Sequence, residues 1–592
     1  MKILLVAINA KYIHSNPAVH SLKACAGDYK SRVDIAEFTI NQQPAYILQE
    51  IYKRRPDVIA FSCYIWNRSV MDVIIPDLRK LLPQTDIWAG GPEVSYDAPE
   101  TLRRWGLRGV MAGPGEAAFY HLAAAYESGA ARELPAVLDG NKIQRMKLDD
   151  IPFWYEDMQD FEHRIVYYES SRGCPFSCSY CLSSIDRAMD FRSVPQVCGE
   201  LDFFLEKKVP QVKFVDRTFN CKKEHALPIL RYILEQDNGV TNFHFEIAAD
   251  LLDQDYFAVM ERLRPGAVQL EIGVQSTCEK TISEIHRKMD FAKVASIVRR
   301  ISSWQNIHIH LDLIAGLPFE DLPRFQTSFN DVYALRPQQL QLGFLKVLKG
   351  SDMERYASEY DLLYTSQPPY EVLSTRWLSY EDVCHLKQVE EMVEIYYNSG
   401  QFGNTLEFLL SCFESPYALY DSLAAWYERY GLFGVQSSRI RKYEILLEFG
   451  SACVSQDTRE RNLLFSGQAR VSSPIAADIQ ISRLKEYLLY DLYLREHMKN
   501  RPPFAPALDP WKNAIHDIVH RESLEHTLFP ELAGCNYREL TKTLHVEVFT
   551  AIFDEPMALH FGYERRNPLT NNGITAKIPI ANVPDTIYSC GQ

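Results

Sequence analysis

A chain of 592 residues is long enough for about three or four domains, and its 46% hydrophobic content is ample for their cores. No run approaches the roughly 18 uninterrupted apolar residues of a membrane span, Ile3 to Ile8 is too short for a signal peptide, and a formal charge of -14 argues against an extended nucleic-acid surface, which needs a basic face. Thirteen cysteines, most of them scattered singly, read as reduced thiols rather than a secreted disulfide framework, so a cytoplasmic protein is expected.

In residues 1–140, short apolar runs at Lys2 to Ala7, Val58 to Phe61 and Asp86 to Ala89 alternate with helix-like stretches. That alternation predicts a doubly wound α/β domain with a parallel sheet covered on both faces. Ligands of such sheets bind at the carboxyl ends of the strands. Those ends carry Asn9 to Asn16, Ser62-Cys63-Tyr64, Gly90-Gly91-Pro92-Glu93 and Gly113-Pro114-Gly115-Glu116. Glycine there lets backbone approach a bulky ligand, although Gly90-Gly91 also fits a plain tight turn. Residues 141–165 mix charges and aromatics without a sustained period and read as an ordered connector.

After a predicted strand at Ile165 to Glu169, Cys174, Cys178 and Cys181 form a CxxxCxxC triplet, with Gly173 and Pro175 suited to the turn of their loop. Three thiolates on one short loop suit three corners of a 4Fe-4S cluster, which normally takes four, and so leave one iron open. Zinc is the other reading of such a triplet, but it prefers four ligands in paired units, and no second pair lies nearby.

Further strand-like runs at Gln211 to Asp216, Asn242 to Ala248, Val268 to Ser276, His308 to Ala315 and Gln339 to Val347 complete six βα units, a partial (β/α)6 barrel over residues 166–350. Glu246, Gln275, Arg287 and Asp312 stand out in otherwise apolar surroundings. A buried ionisable group is costly unless paired, so each needs a partner, either a ligand or a structural ion pair.

Residues 351–592 read as mostly helical, from periodic stretches such as Tyr380 to Asn398 and Ile481 to Arg495, with a few strands expected within Leu544 to Ile580. Cys384, Cys412, Cys453, Cys535 and Cys590 are too dispersed to read as a second cluster. Trp377, Tyr396, Tyr397 and Trp426 read as core.

The triplet, with Tyr180 directly before its third cysteine, resembles the signature of the radical S-adenosylmethionine (SAM) superfamily. The resemblance implies that Cys174, Cys178 and Cys181 ligate the cluster and that its open iron chelates SAM. One-electron cleavage of SAM there gives a 5'-deoxyadenosyl radical, so the cofactor carries the hard chemistry. Gly273-Val274-Gln275 and the Asp312 to Pro318 segment resemble SAM-contacting motifs of the oxygen-independent coproporphyrinogen oxidase branch. By that likeness Glu246, Gln275, Arg287 and Asp312 hold the amino-acid and ribose groups of SAM, Arg287 pairing bidentately with its carboxylate. The common Gly-Gly-Glu is replaced by Val215-Asp216-Arg217-Thr218-Phe219-Asn220, where Asp216 or Asn220 is expected to meet the SAM amine or the substrate.

The first domain resembles the cobalamin-binding domains that precede many radical SAM modules, which implies that Ser62, Gly90 and Gly91 line the nucleotide tail of that cofactor. The Asp-x-His-x-x-Gly signature is missing, as is common among cobalamin-dependent radical SAM enzymes. His14 is read as a loop histidine that bonds backbone or faces solvent, not as an axial ligand. The last region resembles a C-terminal domain of unknown function found on a subset of these proteins.

Together these resemblances imply a cobalamin-dependent radical SAM enzyme, a methyltransferase at an unactivated carbon or phosphorus centre, reduced by a partner such as flavodoxin or ferredoxin. A cobalamin-linked rearrangement or cyclisation is the alternative within enzymes, separated by the absence of S-adenosylhomocysteine among its products. A non-catalytic redox or cobalamin sensor is the alternative outside them, and it has no use for four SAM-type polar residues together.

Overall fold

The computed structural model describes residues 1–454 and 477–580; Cys590 lies outside them. The first sheet is built on β1 (Ile3–Asn9), all seven of whose residues are buried. Such a strand needs apolar cover on both faces. Leu4, Val6 and Ile8 pack with Ile47, Ile51, Met71 and Ile75 on one side, and Ile3, Leu5 and Ala7 pack with Val19, Phe119 and Leu122 on the other.

With β2 (Val33–Thr39), β3 (Val58–Ser62), β4 (Asp86–Gly90), β5 (Gly109–Ala112) and β6 (Val137–Asp139), β1 forms a parallel sheet in the order β2-β1-β3-β4-β5-β6. The chain reverses its direction of travel between β1 and β3. Loops leaving those strands diverge there and open a crevice, the usual ligand position in such sheets. The sequence reading passed over β2 because Asp34 and Glu37 interrupt its apolar run. As an edge strand, β2 is only partly covered and tolerates them.

The second sheet starts with β7 (Val166–Tyr168), followed by the short antiparallel pair β8 (Ser171–Arg172) and β9 (Asp190–Phe191). It continues through β10 (Gln211–Phe214), β11 (Asn242–Glu246), β12 (Val268–Gln275), β13 (Ile307–Ala315) and β14 (Gln339–Phe344), in the order β14-β13-β12-β11-β10-β7. Its parallel register sorts side chains cleanly. Val212, Phe243, Val268 and Ile307 fall in one row, and Lys213 pairs with His244, Glu246 with Glu271, and Glu271 with His310 in the alternate rows. Because successive strand residues face opposite sides, one face is apolar and the other carries the polar set.

Between the sheets, the connector is ordered by two short turns, Leu148–Asp150 and Gln159–Phe161, and by Tyr155, whose buried hydroxyl donates to the Tyr167 carbonyl at 2.6 Å. Packing divides the chain into two compact units. Met1–Phe325 with Gly343–Val383 forms the first, and Gln326–Leu342 with the described residues from Cys384 onward forms the second. The first unit therefore contains the first sheet and almost all of the second.

The second unit is mostly helical, with helices such as Pro416–Arg429, Arg439–Val454 and Ala477–Arg495, and one antiparallel sheet of Leu544–Phe549, Met557–Arg566 and Gly573–Pro579. Among the described residues no helix is long and apolar enough to cross a membrane.

Within the first unit, the first sheet domain is tied to the barrel by buried ions. Arg68 lies 3.0 Å from Glu93 and 3.7 Å from Asp97, and Lys349 reaches Asp97 at 2.5 Å. Tyr370 donates to the same Glu93. Arg68 and Glu93 have almost no solvent contact, so removing one partner strands a buried charge. Arg68→Met is expected to lower the unfolding free energy by about 3 kcal/mol, measured by chemical denaturation. Arg103→Met, in an exposed pair with Glu100, should leave the midpoint where it is.

Candidate active site

The cysteine loop leaves β7 and closes on itself through the β8–β9 pair. Gly173 has φ +93°, and a Cβ there would stand 2.4 Å from the Ala188 carbonyl oxygen, so only glycine makes this turn without strain. Cys174 and Cys178 are buried and Cys181 is half-buried. Burial, with the neighbouring thiolates, pushes the Cys174 thiol above its ordinary value. A metal that displaces these protons relieves that cost.

The root of the loop is held by one carboxylate. Asp216, fully buried at the end of β10, accepts from the Ser170 and Ser171 N–H groups at 2.8 and 3.1 Å and from the Ser170 hydroxyl at 2.5 Å. Asn220 is buried as well, and both ends of its amide bond the Ala248 backbone. Neither residue is on the wall of the cysteine cavity, and both side chains are engaged with backbone, so the expectation that Asp216 or Asn220 meets SAM or substrate gives way to a role in the fold.

All three cysteines and Tyr180 line a cavity of about 200 Å³. Glu246, Gln275, Arg287 and Asp312, from three neighbouring strands and the segment after β12, line the same cavity. Burial and the nearby Glu271 push the Glu246 carboxyl up to about 7, against the pull of Arg217. Burial raises Asp312 too, opposed by His310. The His310 Nε2 and Asp312 Oδ1 atoms are 3.0 Å apart but misaligned for a hydrogen bond.

Gln275 adopts φ +72° and leaves its Oε1 buried without a partner. A Cβ on Gly273 would meet the Gln275 amide nitrogen at 2.2 Å, which explains the glycine. Arg287 is already engaged: Nη1 lies 3.4 Å from the Tyr180 hydroxyl and 3.8 Å from Cys178 Sγ, and Nη2 donates to the Gly273 carbonyl. Only its Nε lacks a partner. The bidentate carboxylate pairing expected of Arg287 therefore competes with its hold on the cysteine loop. Buried polar atoms without partners are rare in folded proteins. Here Gln275 Oε1, Asp312 Oδ1 and Arg287 Nε, two acceptors and one donor, belong to residues lining one cavity beside three thiols, a polar set that fits a ligand bound at a cluster.

Beside them on the inner face, Glu271 takes Lys213 at 3.2 Å and His244 at 2.9 Å. Against the upward push of burial, the His244 bond and the Lys213 and His310 charges bring Glu271 down to about 2. Sequence reasoning missed Lys213, His244, Glu271 and His310. The available signal was the period-two recurrence of polar residues along β11, β12 and β13, an alternation that marks a second functional face.

Two further cavities lie at the carboxyl edge of the first sheet. Ser62, Gly90 and Gly91 line one of about 210 Å³, with Gly113 and Gly115. Gly91 has φ +112°, and a Cβ there would stand 2.4 Å from the Cys63 carbonyl oxygen, so the glycine is obligatory. This glycine-lined cradle, at the carboxyl edge of the sheet, fits a flat nucleotide-like group.

The other cavity, of about 580 Å³, lies between the loop after β1 and the barrel, and Tyr64, Trp66, Tyr167, Glu169 and Arg172 are among its walls. Tyr64 and Trp66 stack with centroids 4.3 Å apart. His14 also lines it and shares a 2.7 Å hydrogen bond between its Nδ1 and the Tyr167 hydroxyl. Burial, then Lys11 and Lys213, lowers the His14 pKa, which keeps the ring neutral. The histidine is thus a contact between the first domain and the barrel rather than a free loop side chain. Arg172, just before the cysteine loop, binds Glu169 through two nitrogens at 2.9 and 2.6 Å and reaches Glu116 of the first domain at 2.8 Å.

Three family models match the chain. One described as a B12 binding domain covers residues 3–123, one described as the radical SAM superfamily covers 168–332, and one described as a protein of unknown function (DUF4080) covers 358–560. The chain is 25% identical over 338 residues to the cobalamin-dependent radical SAM methyltransferase TokK of Streptomyces tokunonensis, covering 49% of this chain and 47% of that one, so it spans about half the relative's length. It is similar in structure to the radical SAM methyltransferase TsrM from Kitasatospora setae, solved with cobalamin and a 4Fe-4S cluster bound, with a TM-score of 0.51 and 15% identity over 62% of this chain and 76% of that one. It is also similar to the cobalamin-dependent SAM radical enzyme OxsB, solved with aqua-cobalamin bound, with a TM-score of 0.53 and 14% identity over 83% of this chain and 80% of that one. These two structural likenesses are likenesses of fold.

Burial lifts Asp216 to about 6, with the Ser170 and Ser171 hydrogen bonds limiting the rise. The folded chain then holds this proton more tightly than the unfolded chain. Its contribution to stability falls as pH rises from about 4 to about 6, by about 3 kcal/mol, and stays low above that window. Asp216→Asn is expected to remove this step, so the wild-type-minus-variant difference in unfolding free energy should slope downward between pH 4 and 6 and be flat above.

Proposed function

We propose that this chain, a radical SAM protein with a B12-binding domain ahead of its barrel, is a cobalamin-dependent methyltransferase acting at an unactivated carbon or phosphorus centre. The observation that carries the reading is that the three cavities adjoin. Tyr64 lines both the glycine cradle and the larger cavity, and Ser183 and Arg217 line both the larger cavity and the cysteine cavity. When bound, the cluster and SAM supply a 5'-deoxyadenosyl radical and the corrinoid supplies the methyl group.

The chain's own residues do the rest. Cys174, Cys178 and Cys181 hold the cluster as thiolates, and Ser62, Gly90 and Gly91 make room for the nucleotide tail. Glu246 and Asp312 face the cationic and hydroxyl groups of SAM, Gln275 offers its free Oε1, and Arg287 stays beside Cys178 and offers Nε. Tyr64, Trp66 and Tyr167 wall the cavity in which the substrate meets both groups, and aromatic walls limit water there. A flavodoxin- or ferredoxin-class protein supplies the electron, in a reducing compartment expected to be the cytoplasm.

The test is anaerobic turnover of SAM by protein reconstituted with iron, sulfide and cobalamin under reducing conditions. Both S-adenosylhomocysteine, dependent on the corrinoid, and 5'-deoxyadenosine are expected, the latter lost in the Cys174→Ala, Cys178→Ala, Cys181→Ala variant. Formation of 5'-deoxyadenosine without S-adenosylhomocysteine would replace methyl transfer by a rearrangement or cyclisation, and no cleavage at all would favour a sensor.

Because Glu246 sits at about 7, it is protonated below neutrality and cannot pair with a cationic group of SAM. SAM affinity should therefore rise about tenfold between pH 6 and pH 8, and Glu246→Gln should flatten that dependence in equilibrium binding.

A further inference from the structure

Arg217 has no role assigned so far beyond its electrostatic pull on the Glu246 carboxyl. It follows the fully buried Asp216, and its own carbonyl accepts the Thr218 hydroxyl at 2.7 Å, so its backbone is fixed from both sides. Its side chain is exposed, and it lines both the larger cavity and the cysteine cavity. No carboxylate among the described residues reaches its guanidinium.

Every other charge on the wall of the larger cavity is matched. Arg172 holds Glu169 and Glu116, and Asp186 takes Arg145 at 2.7 Å. On the SAM side, Arg287 is tied to the cysteine loop, and Lys288, with no ion pair among the described residues, lines the smaller cavity. Arg217 is therefore a cation with no carboxylate in direct contact among the described residues, at the junction of the larger cavity and the cysteine cavity. Guanidinium is the group best shaped to take a carboxylate or phosphate through two parallel hydrogen bonds.

We propose that Arg217 receives an anionic group of the substrate, a carboxylate or a phosphate, and so orients the reacting centre between the two cofactors. The inference rests on the methyltransferase reading for the word substrate, while the anion site itself is independent of it. Lys288 and Arg287 Nε remain for the carboxylate of SAM.

The experiment is calorimetric titration of anaerobically reconstituted, SAM-loaded protein with sodium acetate and, separately, inorganic phosphate. The wild type should bind one of them at a single site, Arg217→Met should weaken that binding at least tenfold, and Arg217→Lys should restore part of it. Tighter acetate binding assigns a carboxylate substrate, tighter phosphate binding a phosphorylated one. Failure of the wild type to bind either anion, or equal binding by Arg217→Met, overturns the proposal. So does an anion that raises the dissociation constant of SAM, because Arg217 would then serve the cofactor. The absorption spectrum of the same sample reports cluster and corrinoid, so an anion site found without them rejects the methyltransferase reading and leaves the site standing.

Discussion

Arg172 stands between Glu116 of the first domain and Glu169 of the barrel, one residue ahead of the glycine that starts the cysteine loop. Burial pulls the Glu116 carboxyl upward, and Arg172 more than reverses it, so the acid stays ionised. This charge-assisted junction joins the edge of one sheet to the loop of the other. Together with the Arg68, Glu93, Asp97 and Lys349 cluster, it makes the two domains one unit. Two adjoining cavities can act together only if their distance is held constant, which the buried pairs here favour and exposed pairs would not.

Within that frame, the division of labour follows from strand parity. The outward face of the barrel sheet is apolar and packs against helices, so its inward face is free to be polar. Lys213 and His244 are register neighbours on β10 and β11, as are Glu271 and His310 on β12 and β13; Glu271 takes both Lys213 and His244, which leaves Glu246 and Asp312 as the acids with capacity to spare. The polar interior is therefore graded, from the paired Lys213, His244 and Glu271 to a set of unpartnered atoms beside the cysteines. Asp216 belongs to neither group: it spends its carboxylate on the backbone of the cysteine loop and so converts a strand end into a rigid mount.

The strands of the barrel were legible within two residues, apart from β14, which ends at Phe344, three residues short of the expected Val347; β10 to β13 stood out because each is apolar on one face and interrupted by a conspicuous charge on the other. The cysteine triplet was legible because its chemistry is local: three ligands on one loop need no tertiary partner to be recognised. Ser62, Gly90 and Gly91 were legible as strand-end residues, and the left-handed φ of Gly91 supplies the physical reason for its glycine. The pairing of Arg172 with Glu116 and the place of Arg217 were not, because a single charged residue carries no sign in sequence of what it will face. Asp216 misled because a carboxylate at a strand end looks the same in sequence whether it points at a ligand or at its own backbone. The edge strand β2 was hidden by the acids that an edge permits.

The central claim is that one compact unit carries both an iron-sulfur cluster and a corrinoid in separate, adjoining cavities. Metal analysis of anaerobically reconstituted protein after gel filtration tests it most directly, using the wild type, the triple cysteine variant and Gly91→Leu. About four iron atoms and one cobalt per chain are expected in the wild type, with iron alone lost in the cysteine variant and cobalt alone lost in Gly91→Leu. Wild-type protein that retains iron but never cobalt would contradict the claim and reduce the first domain to a scaffold.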